Sequence, residues 1–466
     1  MKAVIAIVVA ATFAPQLRAD TLTLAEVLAS SERHFPAIQA AVSETLIRRG
    51  KTVTALGAFD LAMEQEGLGW TSGFYDGLSL DSKLVKRIPD YAAKISGGYR
   101  IANDDFPVYQ DELITNAGGE FNLGVVFSLW RDRDIDSRRF NVYSARLGER
   151  DAEIELMVAR LMTQRNAARA YWSWVAAGQR LGVFERLAGL AEDRMSGLKR
   201  RAAAGDVAEI FVIENQQNLL RRQALLTNAR RDFRAAAISL SLYLRDRTGT
   251  PLEPDPAQLP ESFPPAVDDL PELDAMIATA IGARPELAKL EVDRQLEGER
   301  LKLARNALKP RVDLGLKAAN DIGRGSASRQ GFDTIVDLTV SIPLQRRLGR
   351  GQVTEAEARI EQIDFERRLA EDRIANEVLK LANAIEAAVE TVGITENEAE
   401  QALVLERAER KRFRAGASDF FVVNLREERS ADALIRNLDA KLEYFRNLTD
   451  FQATTVNLNA LGLSGP

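Results

Sequence analysis

The chain has 466 residues, 46% of them apolar, which is enough hydrophobic material for a folded protein and sets it apart from disordered polypeptides. Its formal net charge is −6, with both signs interspersed and no basic stripe, which argues against nucleic-acid binding. It contains no cysteine, so a disulfide framework, a thiolate metal site and attachment through a lipidated cysteine are not expected.

The N-terminus carries Lys2, an apolar run from Ala3 to Phe13, and Leu17-Arg18-Ala19 before Asp20, the order of a secretory signal peptide cleaved after Ala19. Loss of Lys2 and Arg18 takes the formal charge from −6 to −8. A retained membrane anchor is the alternative, but the run is shorter than the roughly 20 residues that a spanning helix needs. Next come Leu22 to Ile38 (LTLAEVLASSERHFPAI), matched without gaps 249 residues later by Leu273 to Leu287. Leu24 aligns with Leu273, and Pro36 with Pro285. In each copy a short amphipathic helix should stop before a proline that opens the next helix, where its missing N–H costs nothing. Those second helices are expected to reach about Leu56 and about Leu308.

Two-residue alternation follows each pair. Val336, Leu338, Val340 and Ile342 alternate with Asp337, Thr339 and Ser341, and Val312, Leu314 and Leu316 with Asp313, Gly315 and Lys317. In the first half, Phe121, Leu123, Val125, Phe127 and Leu129 alternate with Asn122, Gly124 and Ser128, and a rougher strand spans Asp60 to Leu68. Four strands in two hairpins are expected. Each is of barrel-spanning length, with one apolar and one polar face; a sheet on a soluble core is the competing reading. Four strands cannot close a barrel alone, so a membrane location requires several chains to share one. The first half is 38 residues longer than the second between matched proline and glycine, and Thr71 to Gly118 is expected to hold the excess as an enlarged surface loop, rather than extra strands or a plug.

Long helices are expected from about Ser137 to Ala204 and from about Val353 to Ala415. Ile374, Val378, Leu381, Ile385, Ala388 and Val392 step 4-3-4-3-4, and Leu147, Ile154, Leu161, Ala168 and Val175 step by sevens, the spacing of coiled-coil seams. Each helix turns at a glycine, Gly205 and Gly416, which lie 211 residues apart, and returns to near Arg247 or Ala460. Between the halves, Thr248 to Pro271 holds seven of the fifteen prolines and should be a stiff connector. The organisation is therefore a signal peptide (1–19), a first repeat (20–247), the connector (248–271), a second repeat (272–462) and a tail (463–466).

This pattern resembles the TolC-like outer-membrane factor (outer membrane efflux protein) family over essentially the whole mature chain. The resemblance is carried by Ala170 to Ala177 (AYWSWVAA), by Arg284 to Leu290 (RPELAKL) with the later ALKPRVDLGL, by Phe413 to Leu425 (FRAGASDFFVVNL) and by the terminal LNALG. It implies a mostly α fold of tandem-duplicated long helical hairpins forming a coiled-coil α-barrel. With it goes a small β part, four strands per chain, contributing to a trimeric twelve-stranded outer-membrane β-barrel. It further implies a homotrimer in Gram-negative outer-membrane lipid with a long periplasmic portion, acting as the exit duct of a tripartite efflux pump or a type I secretion system. Its partners would be a periplasmic adaptor (membrane fusion) protein and an inner-membrane transporter of RND, ABC or MFS type. An exported coiled-coil rod without a pore is the competing function.

No catalytic constellation, metal site or cofactor motif stands out. His34 is the only histidine and sits beside Phe35-Pro36 between helices, and no GxxxxGK[ST] or HExxH run occurs. Glu427-Glu428 beside Arg429 reads as a solvated helix face. Gly205 and Gly416 suit left-handed helix caps. The resemblance adds that Ala204, Gly205, Asp206, Val207 and Ala208, with Ala415, Gly416, Ala417, Ser418 and Asp419, form adaptor-docking tips. Where the family carries gating charges this chain has Ile210, Phe211, Val422 and Leu425, so a constriction would be apolar, with Phe420 and Phe421 beside it, or would use Asp206, Glu209 and Asp419. The expected lipid-facing residues are Phe121, Leu123, Val125, Phe127, Val336, Leu338, Val340 and Ile342.

Overall fold

A computed structural model describes residues 21–103, 106, 113–267, 270 and 272–463; the expected signal peptide and the end of the tail lie outside them. The chain divides into two compact units. The first comprises residues 1–39, 159–283 and 374–466, and the second residues 40–158 and 284–373.

The duplication is visible in the element boundaries. Helix α1 spans Leu24–His34 and α5 Leu273–Ala283, while α2 (Pro36–Leu56) and α6 (Pro285–Ala307) each begin on the matched proline. Thr23 caps α1 in a reciprocal box: its hydroxyl accepts from the Glu26 N–H at 3.3 Å, and its own N–H donates to the Glu26 carboxylate at 2.8 Å. The long helices are α3 (Ser137–Ala203) and α7 (Arg347–Arg414), returning as α4 (Glu209–Ser241) and α8 (Phe420–Thr454). Ile374, Val378, Ile385, Ala388 and Val392 are buried, as are Leu147, Leu161, Ala168 and Val175, so the two heptad seams face partners.

The first unit is centred on an aromatic stack. Trp172 lies 4.1 Å from Phe445 of α8 and 5.8 Å from Phe263 of the connector, centroid to centroid. Tyr171 donates its hydroxyl hydrogen to the Leu22 carbonyl at 3.0 Å, and burial pushes its pKa up to about 12. The connector is thus more than a spacer. A Cβ on Gly178 would meet the Leu259 side chain at 2.4 Å and the Phe233 ring at 2.9 Å, so a larger residue there would have to displace both.

The second unit holds one antiparallel sheet. Its strands are β1 (Ala62–Gly69), β2 (Leu78–Ile88), β3 (Ala93–Ala102), β4 (Glu120–Ser128), β5 (Arg311–Asp321) and β6 (Gly331–Ser341), and each pairs with the next in chain order. Two expectations are corrected here. The sheet has six strands rather than four, and the segment expected as a surface loop supplies β2 and β3. The strands expected to pair in the first half, β1 and β4, are consequently separated by two others. The reason lies in the residues: Ser82, Lys86 and Gly97 stand among the apolar positions of β2 and β3 and break the alternation that marks β4, β5 and β6. The β5–β6 hairpin forms as expected, with Leu314 opposite Leu338 and Leu316 opposite Val336.

Candidate functional site: an inverted sheet and two glycine tips

Residues that face one another across the ladders share a side of the sheet, so the register assigns both faces. One side carries Leu80 and Leu84 of β2, Ile95 and Ile101 of β3, Phe121, Leu123, Val125 and Phe127 of β4, Leu314 and Leu316 of β5, and Val336, Leu338 and Val340 of β6. Ile342, just beyond β6, continues the alternation and is exposed. All eight residues expected to face lipid thus belong to one apolar face or its continuation.

The opposite side is mostly polar, with Val85, Val126 and Ile335 among its apolar members. Asp81 pairs with Arg100 at 3.2 Å, Glu120 with Lys317 at 3.3 Å, and Asp313 with Arg311 at 2.6 Å. Burial is reversed relative to a water-soluble sheet. Ser79, Asp81, Asn122 and Asp313 are buried, whereas Leu80, Leu84, Phe121, Leu123, Val336, Leu338 and Val340 are exposed. A water-soluble sheet hides its apolar side, and a contiguous apolar face left open marks a surface that meets another apolar phase or partner.

Aromatic residues stand at both ends of the strands. Tyr99 and Phe121 are in contact at 4.9 Å near one end, where Trp70, Phe74 and Phe332 also lie. Tyr91, Phe127 and Trp130 lie near the other. Among the described residues no helix is long and apolar enough to cross a membrane.

The tips belong to the first unit and are built by the backbone. Gly205 has φ +81° and Gly416 φ +74°; both are left-handed, and space is open where a Cβ would project. Each closes its helix in the same way. The Asp206 N–H donates to the Arg201 carbonyl and the Ala417 N–H to the Arg412 carbonyl, both at 2.9 Å, the long bond of a Schellman turn. Ala204, Gly205, Asp206 and Ala208 are exposed, with Val207 half-buried; Ala415, Gly416, Ala417 and Asp419 are exposed, with Ser418 half-buried.

The candidates for a constriction separate. Phe421 is 73% exposed and Ile210 is also exposed, while Phe211, Val422 and Leu425 are half-buried. Phe420 is only 4% exposed and packs edge-on to Phe211 at 6.5 Å, with the Arg194 guanidinium 5.4 Å from its ring.

Charges do occur deeper in α8. Glu427 has no exposed surface, which corrects the expectation of a solvated face. Arg222 of α4, itself 1% exposed, reaches it at 2.9 Å, and Arg194 of α3 pairs with its other oxygen. Burial pulls the Arg222 guanidinium below its usual pKa, and Glu427 opposes that pull. Glu406 of α7 is likewise buried and takes two 3.1 Å hydrogen bonds from Arg186. A usable signal existed: Phe420, Val423, Glu427 and Ser430 step 3-4-3 and are all buried, so the glutamate interrupts an inward-facing stripe.

This combination of a duplicated helical hairpin and an inverted sheet defines the TolC-like fold. No protein-family model matches the chain, and no curated relative does. Solved structures do. The open state of the Neisseria gonorrhoeae MtrE outer membrane channel is 16% identical, with a TM-score of 0.67, over 94% of this chain and 89% of that one. The outer-membrane channel OprN is 14% identical, with a TM-score of 0.66, over 94% and 93%. The outer membrane protein VceC from Vibrio cholerae is 15% identical, with a TM-score of 0.63, over 93% and 95%.

Proposed function

We propose that the protein is a passive outer-membrane duct for efflux or secretion, a homotrimer whose sheets together form a transmembrane barrel. The observation that carries this reading is the inverted sheet. Six strands of 8 to 11 residues, apolar outside and ion-paired on the buried side, match what lipid and water demand of a barrel wall. A pore-free rod would leave that apolar face without a role. The tips around Gly205 and Gly416 would receive the helical hairpin of a periplasmic adaptor, with an RND, ABC or MFS transporter supplying the energy. A groove of about 260 Å³ beside the second tip, lined by Leu198, Arg201, Arg410 and Phe413 among others, offers apolar and cationic contacts for such a segment.

The test is electrical. Purified trimer in planar bilayers should show discrete conductance steps, and protein that stays silent with adaptor bound and the tips opened by mutation contradicts the duct. Adaptor docking is tested separately: cross-linking from cysteines placed at Ala204 and Ala415 should capture the adaptor, and capture unchanged by Gly416→Val would place docking elsewhere.

A further inference from the structure

Among the described residues, β1 and β6 pair with a strand on one side only, β2 and β5 respectively. Every residue of β1 and of β6 is exposed, whereas the strands between them alternate or bury part of their surface. Neither edge carries a proline or a lysine to block pairing, and the charges it does carry, Glu64 and Glu66 on β1 and Asp333 and Asp337 on β6, all fall on the polar side of the sheet. In hydrocarbon an open edge leaves a row of unsatisfied N–H and C=O groups, so a sheet with this lipid-seeking face must close. The parity is suitable. With six strands alternating in direction, β6 of one copy meets β1 of a rotated copy antiparallel, the same pairing used throughout the sheet.

The hairpin of β2 and β3 is part of this wall. It is hydrogen-bonded on both sides, eight residues of β2 pairing with β1 and eight of β3 with β4. Its apolar residues Leu80, Leu84, Ile95 and Ile101 continue the exposed face, and its polar side carries the Asp81–Arg100 pair. Gly98 stands on that polar side, where a Cβ would meet the Ser82 carbonyl oxygen at 2.7 Å. A hairpin folded outside the wall would need neither the two-sided register nor the continued polarity.

We infer that three copies of this chain close an eighteen-stranded barrel, edge β6 of each on edge β1 of the next, with β2 and β3 inside the wall. The inference rests on the trimeric duct proposed above. At the same tilt an eighteen-stranded barrel is about half as wide again as a twelve-stranded one, and barrels of this size leave an open aqueous lumen.

The absence of native cysteine makes disulfide mapping in the membrane-embedded, full-length protein free of background. Met63→Cys with Leu84→Cys, and Ile95→Cys with Val125→Cys, join register partners and should form intrachain disulfides. Met63→Cys combined in turn with Leu123→Cys, Val125→Cys or Phe127→Cys spans three strand spacings, about 14 Å, beyond the roughly 7 Å reach of a disulfide. None of these three should close within a chain. Met63→Cys scanned against Val336→Cys, Leu338→Cys and Val340→Cys should link neighbouring copies into covalent dimers and trimers. Images of the trimer in lipid nanodiscs should show eighteen strands in cross-section. Twelve strands with an intrachain β1–β4 disulfide overturn the inference and leave the duct standing. Absence of any link between copies overturns both.

Discussion

The two tips share a backbone and differ in how side chains fasten it. At the first, α4 starts after Ala208, which offers no side-chain cap. At the second, the Asp419 carboxylate accepts the Val422 N–H at 2.9 Å, and Ser418 donates to the buried Glu409. Eight residues further along, Glu427 anchors α8 to α3 and α4 through arginines, while the matched residue of α4, Gln216, is exposed. Duplication has thus kept the turn and let the fastening diverge. Within the first hairpin the buried stitches run to main chain, Asn215 and Arg222 of α4 donating to the Ala191 and Leu187 carbonyls of α3, whereas the second tip adds a capping carboxylate and buried glutamates.

Breaking the deepest stitch should have the largest effect. Glu427→Ala strands the buried Arg222 and should cost ~3–5 kcal/mol in denaturant unfolding, whereas Gln216→Ala should stay within about 0.5 kcal/mol. Equal losses would mean that the copies are fastened alike. Next come the glycines. Gly205→Val and Gly416→Val should each cost about 1–2 kcal/mol by the same measurement, because a left-handed β-branched residue is strained even where space is open. A difference of more than about 1 kcal/mol between the two would show that side chains, rather than the turn, set the cost. The smallest effect concerns the caps. Asp419→Ala should lose ~1 kcal/mol, while Ala208→Asp, which supplies the first tip with what the second already has, should raise its resistance to proteolysis at residues 204–208. A neutral Ala208→Asp would indicate that water already satisfies the first turn of α4.

Much of the helical fold was legible because it is periodic and duplicated. The prolines at 36 and 285 begin α2 and α6, and the glycines at 205 and 416 end the long helices within two residues of where each turn falls. The heptad positions from Ile374 to Val392 point inward because a seam needs only local spacing to be recognised. Strand pairing was legible only in part. The β5–β6 hairpin is local, but the neighbours of β1 depend on β2 and β3, whose outer face admits Ser82, Lys86 and Gly97 at the expense of a clean alternation. Glu427 was misread for a related reason. Its helix offers Arg429 and Glu428 nearby, and only the packing of α3 and α4 reveals that its partners are Arg194 and Arg222, more than two hundred residues away in sequence.

The stack of Trp172, Phe263 and Phe445 has a kinetic consequence. Its members lie 91 and 182 residues apart along the chain, one in each repeat and one in the connector. The helical hairpins can form early from nearby contacts, but closing loops of this length carries an entropic toll that slows the step. Completion of the first unit should therefore lag behind helix formation, with tryptophan fluorescence reporting the slow phase and far-UV circular dichroism the fast one.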